Sequence, residues 1–234
     1  MTFRPAALQF FRQLEKNNNK EWFEAHRADY ENEVREPMRY LIGEMNSRFA
    51  RFAPEMYGDP KRSMFRINRD IRFSSDKSPY KTHAACWFHH SRATKKVGSE
   101  AAEGSAGFYF HFQPGGRSFV GGGLWRPPAP QLQKIRNEIA EHPPRLTRIV
   151  AKLPARYDGL DDESMLKRMP RGFAENHPAA KWLRYQSFTT GRGLTDKQVT
   201  SSQLARLLEE DFKQLLPLVR WINRALGFSE SRSR

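Results

Sequence analysis

Between Phe65 and His83 the chain sets three arginines, Arg66, Arg69 and Arg72, at every third residue, with Asp70, Asp76, Lys77, Tyr80 and Lys81 close by. Arginine suits planar, two-point contact with phosphate or carboxylate, and it stays charged at any relevant pH. Three of them held together repel one another unless countered, so the first task of Asp70 and Asp76 is to pair with them. What remains is a net positive pocket for an anionic ligand. The competing reading is that the Arg–Asp pairs lock a turn onto the fold, and the two roles are compatible. In the ligand reading Arg66, Arg69, Arg72, Asp76, Lys77 and Lys81 form the holding set, and Tyr80 hydrogen-bonds or stacks. If there is catalysis, Asp70 or His83 is the candidate general base, and the arginines steady developing negative charge.

Two further stretches are candidates for the walls of such a site. Gly121-Gly122-Gly123-Leu124-Trp125 permits positive φ and close approach of a ligand or of another backbone; a tight structural turn is the plainer reading. Gly122, Gly123 and Trp125 are its candidate ligand contacts. Lys167, Arg168 and Arg171 form a second basic knot, whose plainer reading is a solvated loop. Neither the dinucleotide nor the P-loop glycine spacing occurs, so no cofactor is implied. A metal site is not expected either. His89 and His90 are adjacent, so on a strand they face opposite ways, which leaves only His89 with His111 across a sheet.

The chain of 234 residues carries a net charge of +14, and its distribution matters more than its size. Residues 1–50 hold 8 basic and 8 acidic residues, whereas residues 51–100 hold 11 and 5. The excess therefore sits on the arginine motif, which favours a site over a generally adhesive surface. One cysteine, Cys86, rules out an internal disulfide or a cysteine-built zinc site. No apolar run approaches the roughly 18 residues of a membrane span, and no signal-peptide core is visible. The expectation is a cytoplasmic protein with no membrane partner.

The elements that must position these residues follow from periodicity. Residues 3–16 have helical spacing, and a second helical pattern runs from Trp22 to Phe49, with Pro37 inside it as a kink or break. Ser63 to Phe73 alternates as a half-buried strand that gives way to a loop near Arg69. His83 to His90 reads as another strand, and Ala93 to Ala106 as a mobile connection. Phe108, Phe110 and Phe112 share one face of a strand whose hairpin partner is Arg117 to Val120. Helices follow at Pro130 to Ala140 and near Leu146 to Val150, then an irregular stretch from Leu153 to His177. Trp182 to Phe188 fits a short helix or a strand. Ser201 caps a last helix in which Pro217 bends the path. This order predicts an α+β fold: one compact domain over 1–228, with a mainly antiparallel sheet flanked by N- and C-terminal helices, and a disordered tail at 229–234.

The pattern Arg66-x-x-Arg69-Asp70-x-Arg72-Phe73-x-x-Asp76-Lys77-x-x-Tyr80 resembles the hallmark of a family catalogued as domain of unknown function 2461. The likeness extends to Asn18-Asn19-Lys20-Glu21-Trp22-Phe23, to Gly121 through Pro127, and to Lys167-Arg168-x-Pro170-Arg171-Gly172 with His177-Pro178. It implies a compact α+β protein of cytoplasmic type and no particular activity. The residues themselves favour binding of a small phosphate- or carboxylate-bearing ligand, with an enzyme acting on it as an extension. The alternatives are nucleic-acid binding through a basic surface and a purely architectural motif.

Overall fold

The computed structural model describes residues 2–72, 75–93 and 104–230. Helix α1 (Pro5–Lys16) starts at a proline and ends at Asn17. Asn19 then caps α2 (Lys20–Ala25), its side chain accepting from Trp22 N at 2.9 Å. The expected break near Pro37 takes a specific form. After the short α3 (Arg27–Asp29), a π-helical turn spans Tyr30–Arg35, and α4 (Glu36–Phe52) begins with the proline in its first turn. A proline removes one backbone donor and crowds the preceding turn, and the wider π turn lies immediately upstream of it.

Five strands form one antiparallel sheet in sequence order: β1 (Met56–Tyr57), β2 (Ala84–His90), β3 (Gly107–Phe112), β4 (Ser118–Leu124) and β5 (Phe188–Leu194). One face of the sheet is core. Phe88, Phe108, Phe110, Phe112 and Val120 are fully buried there, against Phe3, Phe11, Phe49 and Phe212. Phe108 stacks on Phe212 at 4.5 Å, and Phe3 on Phe112 at 4.3 Å. The long helix α9 (Leu204–Leu226) lies along β4 and continues through Pro217 to a Gly227 cap at φ +93. Helices α5 (Ala129–Glu141), α6 (Pro143–Ala151), α7 (Ala180–Leu183) and α8 (Asp196–Val199) complete a single compact α+β domain.

Four local expectations need correction. The stretch Ser63–Phe73 is not a ladder strand. It makes two isolated bridges, Met64 to Cys86 and Asn68 to Tyr80, the second closing an excursion whose tip leaves the sheet. Gly121–Gly123 is neither a turn nor a loop: these residues pair with β3 on one side and β5 on the other. The region left open between helix and strand is both, α7 followed by the start of β5. The last helix begins after Gln203, which has no side-chain cap, and Ser201 instead accepts from Gln203 N. Of the connection placed at 93–106, residues 94–103 lie outside the described residues, while Ser105 and Ala106 are buried. Within the expected tail, Ser229 bonds His90 and Glu230 pairs with Arg224; residues 231–234 lie outside the described residues.

Candidate functional site

The arginine motif is held to the body of the protein at its base. Arg69 N donates to Pro79 O and Lys81 N to Ile67 O, so the two arms of the excursion face each other. The N-terminal helices grip one arm. Asn18 donates to Tyr80 O at 2.9 Å and accepts from Tyr80 N at 3.1 Å, and the buried Tyr80 ring stacks on Phe23 at 4.1 Å. Tyr80 is therefore a packing residue that fixes where its neighbours stand.

At the tip the charges pair among themselves. Arg69 bonds Asp76 and, at 3.1 Å, Ser78 Oγ, while Arg72 makes a two-point contact with Asp70 at 2.9 and 2.6 Å. Lys77 Nζ donates to Ile71 O. Hydrogen bonds from Arg72 hold the Asp70 carboxyl down at about 2, and those from Ser78, with Arg69, lower that of Asp76. A carboxylate so strongly ionised is a weak proton acceptor. Phe73 and Ser74 lie outside the described residues.

The base of the motif is different. Lys81 is half-buried and, among the described residues, bonds no carboxylate; its ammonium lies 5.6 Å over the Phe65 ring. Burial, then Arg66 and Arg69, push its pKa below the ordinary lysine value. Arg66 is exposed and likewise without a hydrogen bond or ion pair among the described residues. His83 stacks on His111 at 4.2 Å. Burial, followed by His111, Lys81 and Arg69, drives the His83 pKa down to about 3, so the ring is neutral at physiological pH. His111 is fixed from both sides: Tyr109 OH lies 3.0 Å from Nδ1, and Gln113 Oε1 lies 2.8 Å from Nε2. If Gln113 accepts from Nε2–H, Nδ1 is left to accept from the tyrosine. No such partner holds the His83 ring nitrogens among the described residues.

The motif thus divides into a tip whose Arg69 and Arg72 are countered by Asp76 and Asp70 and a cationic corner at its base, made by Arg66 and Lys81 beside the neutral His83, with Arg69 adding its field. The corner adjoins the sheet face opposite the core. On that face Trp87, Tyr109 and Phe119 line a cleft together with Phe65, Trp125 and Gly122. Gly123 stands in the strand at φ +128, where an added methyl would collide with Phe188 O. Its backbone serves the close approach of β5. Lys167, Arg168 and Arg171 are exposed, and they neither line the cleft nor share a hydrogen bond or ion pair with the motif. His89 stands opposite Gly107 and His111 opposite Ala85, four positions apart along the sheet, so the one remaining metal pair is not brought together.

Sequence reasoning overlooked Phe65, Trp87, Tyr109 and Phe119 as site residues, and considered His111 only as a metal partner of His89. Their signal was present: the strand phase opposite Phe108, Phe110 and Phe112 carries Tyr109 and His111, where a solvated face would carry short polar groups.

Among the described residues no helix is long and apolar enough to cross a membrane. No curated protein and no solved structure matches the chain. One family model does, spanning residues 6–221 and so the arginine motif, the sheet and most of α9; the chain belongs to the family described as conserved hypothetical protein (DUF2461).

Proposed function

We propose that the protein binds a small phosphate- or carboxylate-bearing ligand in the cationic corner at the base of the arginine motif. The observation that carries this reading is Lys81, a half-buried cation beside Arg66 and Arg69 with no carboxylate bonded to it among the described residues. Partly desolvating a cation next to two others opposes folding, and a bound anion offsets that cost. Arg66 supplies a planar fork for two-point contact and Lys81 a point charge. Arg69 contributes its field while its guanidinium stays on Asp76. Should the ligand react, neither Asp70, paired with Arg72, nor His83, whose pKa burial lowers to about 3, is a strong base as held.

Calorimetric titration with inorganic phosphate, pyrophosphate and citrate, at constant ionic strength against chloride, tests the reading. One of these anions should bind saturably, with affinity falling about tenfold or more in Lys81→Met and in Arg66→Gln, since each tenfold is ~1.4 kcal/mol and charge-assisted bonds contribute about that much or more. Absence of saturable binding, or equal binding by both variants, removes the anion site. A single-stranded oligonucleotide that binds instead, with affinity falling steeply with salt, would assign the positive charge to nucleic acid.

A further inference from the structure

The open face of the sheet holds a second feature that the anion reading does not use. Its cleft has a volume of about 960 Å³, within the size range of small-molecule sites. Neither Lys81 nor Arg66 lines it.

Strand register assembles the floor. Trp87, Tyr109, Gly121 and Gly191 are successive partners across four strands. The Phe119 ring lies against the two glycines: a methyl on Gly121 would come within 2.7 Å of its Cε1, and one on Gly191 would overlap its Cζ. Glycine at both positions lets the ring settle on the backbone. Phe65 flanks the floor with its ring tilted 74° to Tyr109. Phe119 and Trp125 remain 37% and 64% exposed, a large aromatic surface left in water.

The wall is acidic. Asp158, Asp161, Asp162 and Glu163 line the cleft, and none forms an ion pair among the described residues. A shortage of cations does not explain this, because the chain has 40 basic residues to 26 acidic ones. Gln131 gives an independent sign. It lines the same cleft at 6% exposure and donates to Gly104 O, yet among the described residues its Oε1 accepts no hydrogen bond. A buried acceptor without a donor is uncommon. At the mouth the chain places its own planar cation on an indole: Arg126, in the left-handed region at φ 43, holds its guanidinium 4.9 Å over Trp125.

We propose that this cleft binds a small planar aromatic cation, its ring on the Phe119–Tyr109 floor and its N–H donors toward the carboxylates of 158–163. Aromatic faces attract cations, and the unpaired carboxylates complement the charge. Benzamidine is the probe, with benzoate as the same ring with opposite charge and methylguanidine as the cation without the ring. In a ligand-observed NMR titration of the full chain, benzamidine should bind saturably and both controls roughly tenfold more weakly or worse. Gly191→Val should block the floor, and Trp125→Ala and the double variant Asp161→Asn/Asp162→Asn should each weaken binding several-fold. The last two change exposed side chains, so they report even if Gly191→Val fails to fold. The proposal is overturned if benzamidine does not bind, if benzoate binds as well, or if the exposed-residue variants bind like the parent. It is equally overturned if sedimentation shows a dimer that Trp125→Ala dissociates, since a second copy would then be the occupant.

Discussion

Acidification offers a quantitative test of how His83 is held. Its pKa falls from 6.5 to about 3 through burial first, then His111, Lys81 and Arg69. Between those values the unfolded chain carries a proton that the folded chain does not, so stability is full above the unfolded pKa and declines as the pH falls. Going from about pH 7 to about pH 5, the unfolded histidine passes from mostly neutral to mostly protonated while the folded one stays neutral; this costs about 2 kcal/mol. Because the folded pKa lies well below the lower pH, the figure depends almost entirely on the unfolded residue. The assay is urea unfolding at both pH values for the parent and for His83→Phe, which keeps a ring against His111. His111, whose pKa burial also lowers, contributes with the same sign in both proteins and cancels in the comparison. The parent should lose about 2 kcal/mol more than the variant over this interval. Equal losses would mean that the imidazole is not kept neutral by burial beside Lys81 and Arg69.

Three other perturbations test the scaffold. Asn18→Ala removes both bonds to the Tyr80 backbone; thermal unfolding should register a loss of about 1–3 kcal/mol, and protease cleavage at the motif tip should accelerate. Gly123→Ala should cost about 3 kcal/mol or more in chemical denaturation, from left-handed strain and from collision with Phe188 O. Asp211→Asn should cost about 3 kcal/mol or more by the same measurement, because its buried carboxylate takes two bonds from Arg192 and one, at 2.6 Å, from Tyr157.

The elements that were legible in the sequence are those whose neighbours impose a period. Phe108, Phe110 and Phe112 announced a strand because one face of it meets the helices. The helical stripes of α1, α4 and α9 were readable for the same reason. Gly121–Gly123 misled because three glycines locally signal a turn, whereas here they admit the Phe119 ring and the β5 backbone, two demands set by distant residues. β5 itself, Phe-Thr-Thr-Gly-Arg-Gly-Leu, escaped notice because an edge strand rich in glycine lacks the branched side chains that mark strands. At the candidate site the sequence located the charges without dividing them. Asp70 and Asp76 do pair with arginines, as their proximity required. The partition into an ion-paired tip and a cationic base depends on Asn18 and the excursion's backbone bonds, which no local spacing encodes. The cleft was invisible for a related reason: its floor and its acidic wall come together only through the register of four strands.

The proposed anion site lies at the base of the motif and not at its tip. A crystal of the full chain soaked in selenate, a tetrahedral dianion with its own anomalous signal, tests it most directly. A selenium peak is expected within hydrogen-bond reach of Lys81 Nζ and the Arg66 guanidinium, absent in Lys81→Met. Selenate found only at outlying cations such as Lys167 and Arg171, with the corner empty, would contradict it.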